Sequence, residues 1–177
     1  MNPLRCGVAA AALAATHSTM TASNRTGESY TQEQFQRLLQ NGHCFRGPVT
    51  VTGHLELYDF DLGLLPADLT VQGYCYFFRA KNKELPPRLS VTHTFCLMDA
   101  PEITSIPEDL VVGGDVEFHR CPSLCALPSW IYSLGFDSNG SHRCLRIGGT
   151  AIPAAELEKL ANAAQNGVVL HICASKM

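Results

Sequence analysis

The sequence predicts an α/β fold, a short solenoid with a parallel β-sheet on its concave face and a helical cap at each end. The main observation is a pattern that occurs four times between residues 51 and 128, with a period of 20 or 21 residues. Such a period is typical of solenoids, in which each unit buries its apolar face by stacking on its neighbours. The copies carry an opening valine and a later proline at Val51, Val71, Val91 and Val112, and at Pro66, Pro86, Pro107 and Pro128.

The first half of each copy follows the pattern V-x-G-x-L-x-L. Alternation of apolar residues is the periodicity of a β-strand, so alternate side chains should point to the core. Glycines at Gly53, Gly73 and Gly114 should let the backbone pack closely. The residues predicted to face the core are Val51, Leu55, Leu57, Val71, Cys75, Phe77, Val91, Phe95, Leu97, Val112, Val116 and Phe118.

The second half of each copy follows the pattern L-P-x-x-L. It is too short for a long helix, and each proline lacks an N–H and disfavours helix in the residue before it. Extended or 3-10 return segments are therefore predicted on the convex side.

These repeats resemble the leucine-rich repeat family, in particular its short bacterial class, over residues 47 to 153. The resemblance implies a protein-binding concave face and a secreted bacterial effector that acts in virulence on a host protein; without secretion, the chain would be cytoplasmic. The repeats depart from the family at the position where many members place asparagine. That position holds Phe60, Ala80, Ala100 and Cys121.

A helix is predicted on each side of the repeats. Residues 30–41 have Thr31 as N-cap, and residues 30–46 should cover the open edge of the first repeat as an N-terminal cap rather than bind a partner. After a polar insertion at 135–141, a fifth strand is predicted at 144–147, then a helix at 153–166 and a strand at 168–172. Residues 47–177 thus form the solenoid with a strand-helix-strand cap.

Residues 1–29 are rich in Ala, Ser and Thr and are predicted to be a disordered leader. Three interpretations stay open. The leader is a Sec signal peptide with Arg5 before a short apolar core, an unfolded type III secretion signal, or an untargeted tail.

The composition argues against several partners and cofactors. A net charge of -3 gives no general attraction to nucleic acid or to an anionic membrane, and no apolar stretch is long enough to span a bilayer. The eight cysteines contain no C-x-x-C pair, and the nearest approach to a metal site is His119 with Cys121 and Cys125. The cysteines are therefore interpreted as reduced thiols, and no metal or other cofactor is expected. The chain is expected to be a monomer.

Catalytic motifs are not evident. The pattern holds no nucleophile elbow and no phosphate-binding glycine loop, and the adjacent pair His43 and Cys44 is poorly placed for a thiol–imidazole couple. The chain is therefore predicted not to be an enzyme. Two alternatives to a binding module stay open: a cysteine- or metal-dependent enzyme, and a structural or adaptor protein with no dedicated site.

Strand parity also predicts which side chains lie on the exposed face of the sheet. The outward rows are His54, Tyr74, Thr94 and Asp115; Glu56, Tyr76, Cys96, Glu117 and Arg146; and Tyr58, Phe78, Met98 and His119. Outward aromatics are typical of protein interfaces, although cross-strand pairing or cover by the leader would also account for them. The predicted partner-binding residues are Tyr58, Tyr74, Tyr76, Phe78 and Met98 for contact, with Glu56, Asp115, Glu117 and Arg146 for orientation and specificity.

Overall fold

The computed structural model describes residues 27–135, 139–164 and 169–173 of the 177-residue chain. Within them the fold is α/β, with two parallel sheets and two α-helices. The first sheet has the order β1-β2-β4-β6-β8, and the second has the order β11-β10-β9-β7-β5-β3. The strands of the first sheet are β1 (Glu28–Thr31), β2 (Val49–Thr52), β4 (Leu69–Val71), β6 (Ser90–Val91) and β8 (Val111–Val112). Those of the second are β3 (Leu55–Tyr58), β5 (Cys75–Phe78), β7 (Phe95–Met98), β9 (Val116–Cys121), β10 (Cys144–Thr150) and β11 (Val169–Cys173).

Each repeat places one strand in each sheet, so the half with the pattern V-x-G-x-L-x-L, whose alternation predicts a strand, is divided by a bend. In the first repeat the chain bends between β2 and β3 at Gly53, which has a φ of 86°. A Cβ at this glycine would meet nothing within 4 Å, so it serves the turn rather than close packing. Gly73 and Gly114 do serve close packing, because a Cβ there would come within 2.5 and 2.8 Å of neighbouring backbone atoms.

The second sheet confirms the predicted parallel pairing in sequence order. Leu55 pairs with Cys75, Cys75 with Phe95, and Phe95 with Val116, so equivalent residues of successive repeats lie side by side. Leu145 of β10, the predicted fifth strand, pairs with Val116 and extends the same row. Paired residues on neighbouring strands of the four repeats are therefore separated in sequence by one repeat period.

The core confirms the predicted parity. All of the residues predicted to face inward are at most 5% exposed, and they belong to one apolar cluster that also includes the return segments. Inside it, Phe95 makes edge-to-face contacts with Phe77 and Phe118, at ring-centroid distances of 5.8 and 6.4 Å. The return segments are short, as predicted, and include 3-10 turns at Leu62–Leu64 and Ser129–Ser133.

A residue with positive φ directly follows β3, β5 and β7, and its equivalent in the fourth repeat lies near the end of β9. These residues carry charges of alternating sign and form what we call the charge ladder: Asp59, Arg79, Asp99 and Arg120, with φ between 52° and 53°. Arg79 Nε and Nη2 each donate to an Asp59 carboxylate oxygen at 2.6 Å, and Arg120 Nη2 donates to Asp99 Oδ2 at 2.7 Å. In β10 the equivalent position holds Gly149, with φ 64°. Ion pairs of the ladder thus join the first repeat to the second and the third to the fourth, where the backbone is strained.

A second alternating series lies on the return segments. Arg88, which also has a positive φ of 54°, forms an ion pair with Asp68 in the preceding repeat. Its backbone N–H donates to Asp109 Oδ2 of the following repeat at 3.0 Å. One arginine therefore links three return segments.

The N-terminal helix α1 (Gln32–Gln40) is shorter than predicted. Thr31 and Gln34 form a capping box at its start, as expected of an N-cap threonine. Tyr30 lies in β1 rather than in the helix, and β1 pairs with β2 and includes two residues assigned to the leader, Glu28 and Ser29. Residues 1–26 of the predicted leader lie outside the described part. Phe35 and Leu39 bury the apolar face of α1 in the core.

The C-terminal unit follows the predicted order of strand, helix and strand. Helix α2 (Ala154–Ala164) lies between β10 and β11, and its Leu160 is buried in the core. The Tyr132 hydroxyl donates to Glu156 of α2 and so ties the helix to a return segment. Residues 136–138 of the insertion and 165–166 of the predicted helix lie outside the described residues. No helix in the described ranges has the length and apolarity needed to cross a membrane.

Candidate functional site

Four predicted contact residues lie together on the outer side of the second sheet, on or beside the neighbouring strands β3 and β5. We call this group the aromatic face: Tyr58, Tyr74, Tyr76 and Phe78. Register explains the clustering, because Glu56 pairs with Tyr76 and Tyr58 with Phe78. Tyr74 joins them from the bend before β5, where its carbonyl accepts from the Leu55 N–H at 2.8 Å.

The rings of the aromatic face stack in a continuous row. Tyr58 and Phe78 have centroids 4.8 Å apart and planes 8° apart. Tyr76 lies 6.3 Å from Phe78 and 6.1 Å from Tyr74, with planes inclined by 28° and 15°. Stacking on this scale stabilises the sheet and also holds each ring in one orientation.

The aromatic face is only partly covered. Tyr58 is 55% exposed and Tyr74 is 37% exposed, while Tyr76 and Phe78 are half-buried. The Tyr58 hydroxyl donates to Glu56 Oε2 at 3.1 Å, and this hydrogen bond raises the pKa of Tyr58. Exposed rings in fixed orientations offer a large apolar contact area at a small entropic cost.

Two histidines border the aromatic face at Tyr74. Their rings lie 4.8 Å (His54) and 5.3 Å (His93) from the Tyr74 ring. His54 Nδ1 accepts a hydrogen bond from the Tyr74 backbone N–H at 3.1 Å, which places the proton of the neutral imidazole on Nε2. A small cleft of about 250 Å³ opens beside Tyr74 and His93. Strand parity does not predict His93 at this surface, because His93 lies in the bend between β6 and β7 rather than on a strand.

The predicted orienting charges are largely paired with one another. Arg146 forms ion pairs with Glu117 and, at 3.4 Å, with Asp115. Burial opposes the charge of Arg146, but the hydrogen bond with Glu117 and the two carboxylates outweigh it and raise the pKa of Arg146. The Cys144 N–H also donates to Asp115 at 2.8 Å. These side chains form a paired polar border, which β7 separates from the strands of the aromatic face.

Cys96 is not exposed, which corrects its placement in an outward row. It lies between Tyr76 and Glu117 in the register of the sheet and is 2% exposed, because these larger neighbours close over the small thiol. Burial and the nearby Glu117 carboxylate raise the pKa of Cys96 to about 12. Met98, the remaining predicted contact residue, lies in the same row as Tyr58. It pairs with Phe78 on one side and with His119 on the other, and it is half-buried.

The geometry offers little for catalysis. Burial raises the pKa of Cys75 and of Cys121, as it does for Cys96, so these thiols are poor nucleophiles at neutral pH. In the described ranges, no cluster of three or more His, Cys, Asp or Glu side chains could hold a metal ion. The ring of His43 packs edge-to-face against Phe45 at 4.8 Å. What the described residues present instead is a row of stacked, partly exposed aromatic rings.

No family model, curated protein or solved structure matches the chain in the corresponding comparisons.

Proposed function

We propose that this chain is a short leucine-rich repeat solenoid that binds a protein partner through the aromatic face and catalyses no reaction. The observation that carries the proposal is the row of four stacked rings, in which Tyr58 and Tyr74 remain 55% and 37% exposed. Tyrosine is among the residue types that contribute most to protein interfaces, and contiguous exposed aromatics are uncommon on surfaces that contact only water.

The solenoid part of the proposal is supported by the repeat register. Equivalent residues of successive repeats pair in sequence order across the second sheet. Each repeat also turns at the same position with the same backbone conformation. Helix α1 packs at one end of this row of strands and α2 at the other, which is where a solenoid needs caps.

Rigidity of the aromatic face also favours binding over a purely structural role. Cross-strand stacking accounts for why the rings lie side by side, but it does not require Tyr58 to keep more than half of its surface exposed. A surface whose side chains are already ordered loses little conformational entropy when a partner binds. The paired border of Arg146 and Glu117 would then favour partners with matching polar groups.

Export of the chain as a bacterial effector is a further part of the proposal, and it rests on the repeat resemblance and on the composition of residues 1–29. A secretion assay on the producing cells tests it. Intact chain in the medium would support a type III route, and a shortened N-terminus near residue 16 would support a signal peptide.

The binding proposal is tested by replacing the two central tyrosines. Tyr74→Ala with Tyr76→Ala should weaken partner binding by about 2 kcal/mol, or about thirtyfold, because interface hot spots contribute at least that much. Partners are captured from host-cell lysate by the full chain, identified, and measured against each purified variant.

A matched control comes from exposed apolar side chains elsewhere on the chain. Leu64 and Val111 are 54% and 60% exposed, outside the aromatic face. Replacing both with alanine should leave partner affinity unchanged. Loss of binding in this control, with normal binding by the tyrosine variant, would contradict the proposal.

A further inference from the structure

The outer strand of the second sheet leaves part of its backbone turned away from the sheet. β3 is the end strand on the side of α1. The N–H groups of Leu55 and Asp59 donate to the β5 side, to the carbonyls of Tyr74 and Phe78 at 2.8 and 2.9 Å. Because backbone groups alternate along a strand, the N–H and C=O groups of Glu56 and Tyr58 face the open edge. Such an edge can pair with another strand.

One of these outward groups already has a substitute partner. The Gln36 side chain of α1 donates from Nε2 to the Glu56 carbonyl at 2.7 Å. A side-chain amide there makes the same hydrogen bond that the N–H of an adjoining strand would make. Gln36 is half-buried and does not belong to the core, so rotation of its side chain to another rotamer would release this contact.

A groove of about 270 Å³ runs beside this edge, between α1 and β3. Leu39 and Leu57 contribute to its apolar lining, and Tyr58 and Phe60 form its other walls. Phe60 occupies the position that holds the buried Ala80 and Ala100 in the next two repeats. The large ring is only partly buried, so the first repeat has an apolar wall here that the next two lack.

We propose that the β3 edge binds an extended segment of a partner polypeptide, which adds to the second sheet as a further strand and displaces the Gln36 amide from Glu56. Backbone hydrogen bonds to Glu56 and Tyr58 would supply the affinity, and an apolar side chain in the groove would supply specificity. An extended backbone fits because it alone matches alternating donors and acceptors at strand spacing. This site adjoins the aromatic face at Tyr58, but it binds through the backbone edge of β3 and so does not require a partner on the other three rings.

The test uses a phage-displayed library of random linear peptides, selected on the full chain. Binding of the selected peptides is measured by fluorescence anisotropy. Glu56→Pro removes the outward N–H without removing a bond to β5, since proline is tolerated where a strand N–H faces away from its sheet. Glu56→Ala is the matched control, because it loses the same carboxylate and keeps the N–H. The proline variant should bind about tenfold more weakly than the alanine variant.

A second pair of variants tests the displacement of Gln36. Gln36→Ala frees the Glu56 carbonyl, so peptide affinity should rise on the order of fivefold, while Gln40→Ala on the same groove should not raise it. Equal binding by Glu56→Pro and Glu56→Ala would overturn the inference, as would weaker binding by Gln36→Ala.

The peptide provides a readout that does not depend on how the proline variant folds. Every second N–H of a paired strand faces its neighbour, so two complementary sets of peptide amides are N-methylated in separate peptides. Methylation of the set that faces β3 should abolish binding, and methylation of the set that faces away should leave binding intact. Equal effects of methylation in the two sets would overturn the inference.

Peptides that fail to bind the Tyr74 and Tyr76 double variant but bind Glu56→Pro normally would occupy the aromatic face instead. A dimer of the chain that Glu56→Pro dissociates would identify a second copy as the occupant and overturn the assignment to a partner polypeptide.

Discussion

Tyr58 and Phe78 are register partners on neighbouring strands, and their rings stack with planes only 8° apart. The same contact holds β3 to β5 and fixes the exposed surface of Tyr58. Under the proposed function, stability and binding are therefore coupled at this pair. At Tyr74, which lies in the bend before β5, substitution should affect binding more than folding.

The stacked pair can be measured by a double-mutant cycle. Tyr58→Ala and Phe78→Ala should each lower the free energy of unfolding, with a coupling energy of about 0.5 to 1.5 kcal/mol for an aromatic pair. Urea unfolding of the two single variants and the double variant gives this value. A coupling energy near zero would mean that the rings pack independently.

A core substitution tests the strand parity directly. Leu97 is fully buried in β7, so Leu97→Ala should lower the free energy of unfolding by about 2 to 5 kcal/mol. Leu64, which is 54% exposed, is the matched control, and Leu64→Ala should change stability by no more than about 0.5 kcal/mol. Similar losses in the two variants would refute the inward assignment of Leu97.

The charge ladder should respond to the sign of a charge as well as to its removal. Arg120→Asp would place a carboxylate beside Asp99, whereas Arg120→Gln only removes the pair. Melting temperature at low salt should therefore fall in the order native, Arg120→Gln, Arg120→Asp. Added salt should narrow the gap between the variants, because it screens exposed charges. A gap independent of salt would argue for a steric effect.

Asp99 gives the ladder a defined pH dependence. The hydrogen bond from Arg120 lowers the pKa of Asp99 below its ordinary value of 3.8. A carboxyl whose pKa is lower in the folded state stabilises the fold above its unfolded pKa, and that stabilisation is lost as pH falls through the folded value. The stability difference between the native chain and Asp99→Asn should be constant at neutral pH and shrink below pH 3.8. Unfolding curves across this range check it, and a difference that grows on acidification would contradict the sign.

Thiol reactivity separates a binding module from a cysteine-dependent enzyme. Cys44 and Cys125 are exposed, whereas Cys75, Cys96 and Cys121 are buried with raised pKa values. Iodoacetamide at neutral pH should label the first two in the folded chain and the other three only after unfolding. Peptide mapping by mass spectrometry identifies the sites. Rapid labelling of Cys96 in the folded chain would support a nucleophilic role for it.

The strands of the second sheet and the core could be predicted because apolar residues alternate strictly along these strands. Only one of the two faces of each strand can then point to the core. The first sheet could not, because its bends are formed by different residues in each repeat and some of its strands, such as Ser90–Val91, have only two residues. β1 was missed for a similar reason. Its four residues are mostly exposed, so they carry no apolar periodicity.

The side-chain environment of the candidate site was less predictable than its position. Parity places Cys96 outward, but its burial depends on the size of Tyr76 and Glu117 across the strands. The pairing of Arg146 with Asp115 joins two residues that are 31 positions apart in sequence. The charge ladder, in contrast, had a usable signal, since its alternating signs recur at the repeat period.

That alternation limits how the number of repeats can change. Duplication or deletion of one repeat within the ladder would bring two arginines or two aspartates together at the residues with positive φ. The return segments have the same alternation of charge, because Arg88 lies between Asp68 and Asp109. Two adjacent repeats can be gained or lost together without a like-charge contact. The electrostatic repeat of this array is therefore a pair of repeats, about 41 residues, rather than a single one.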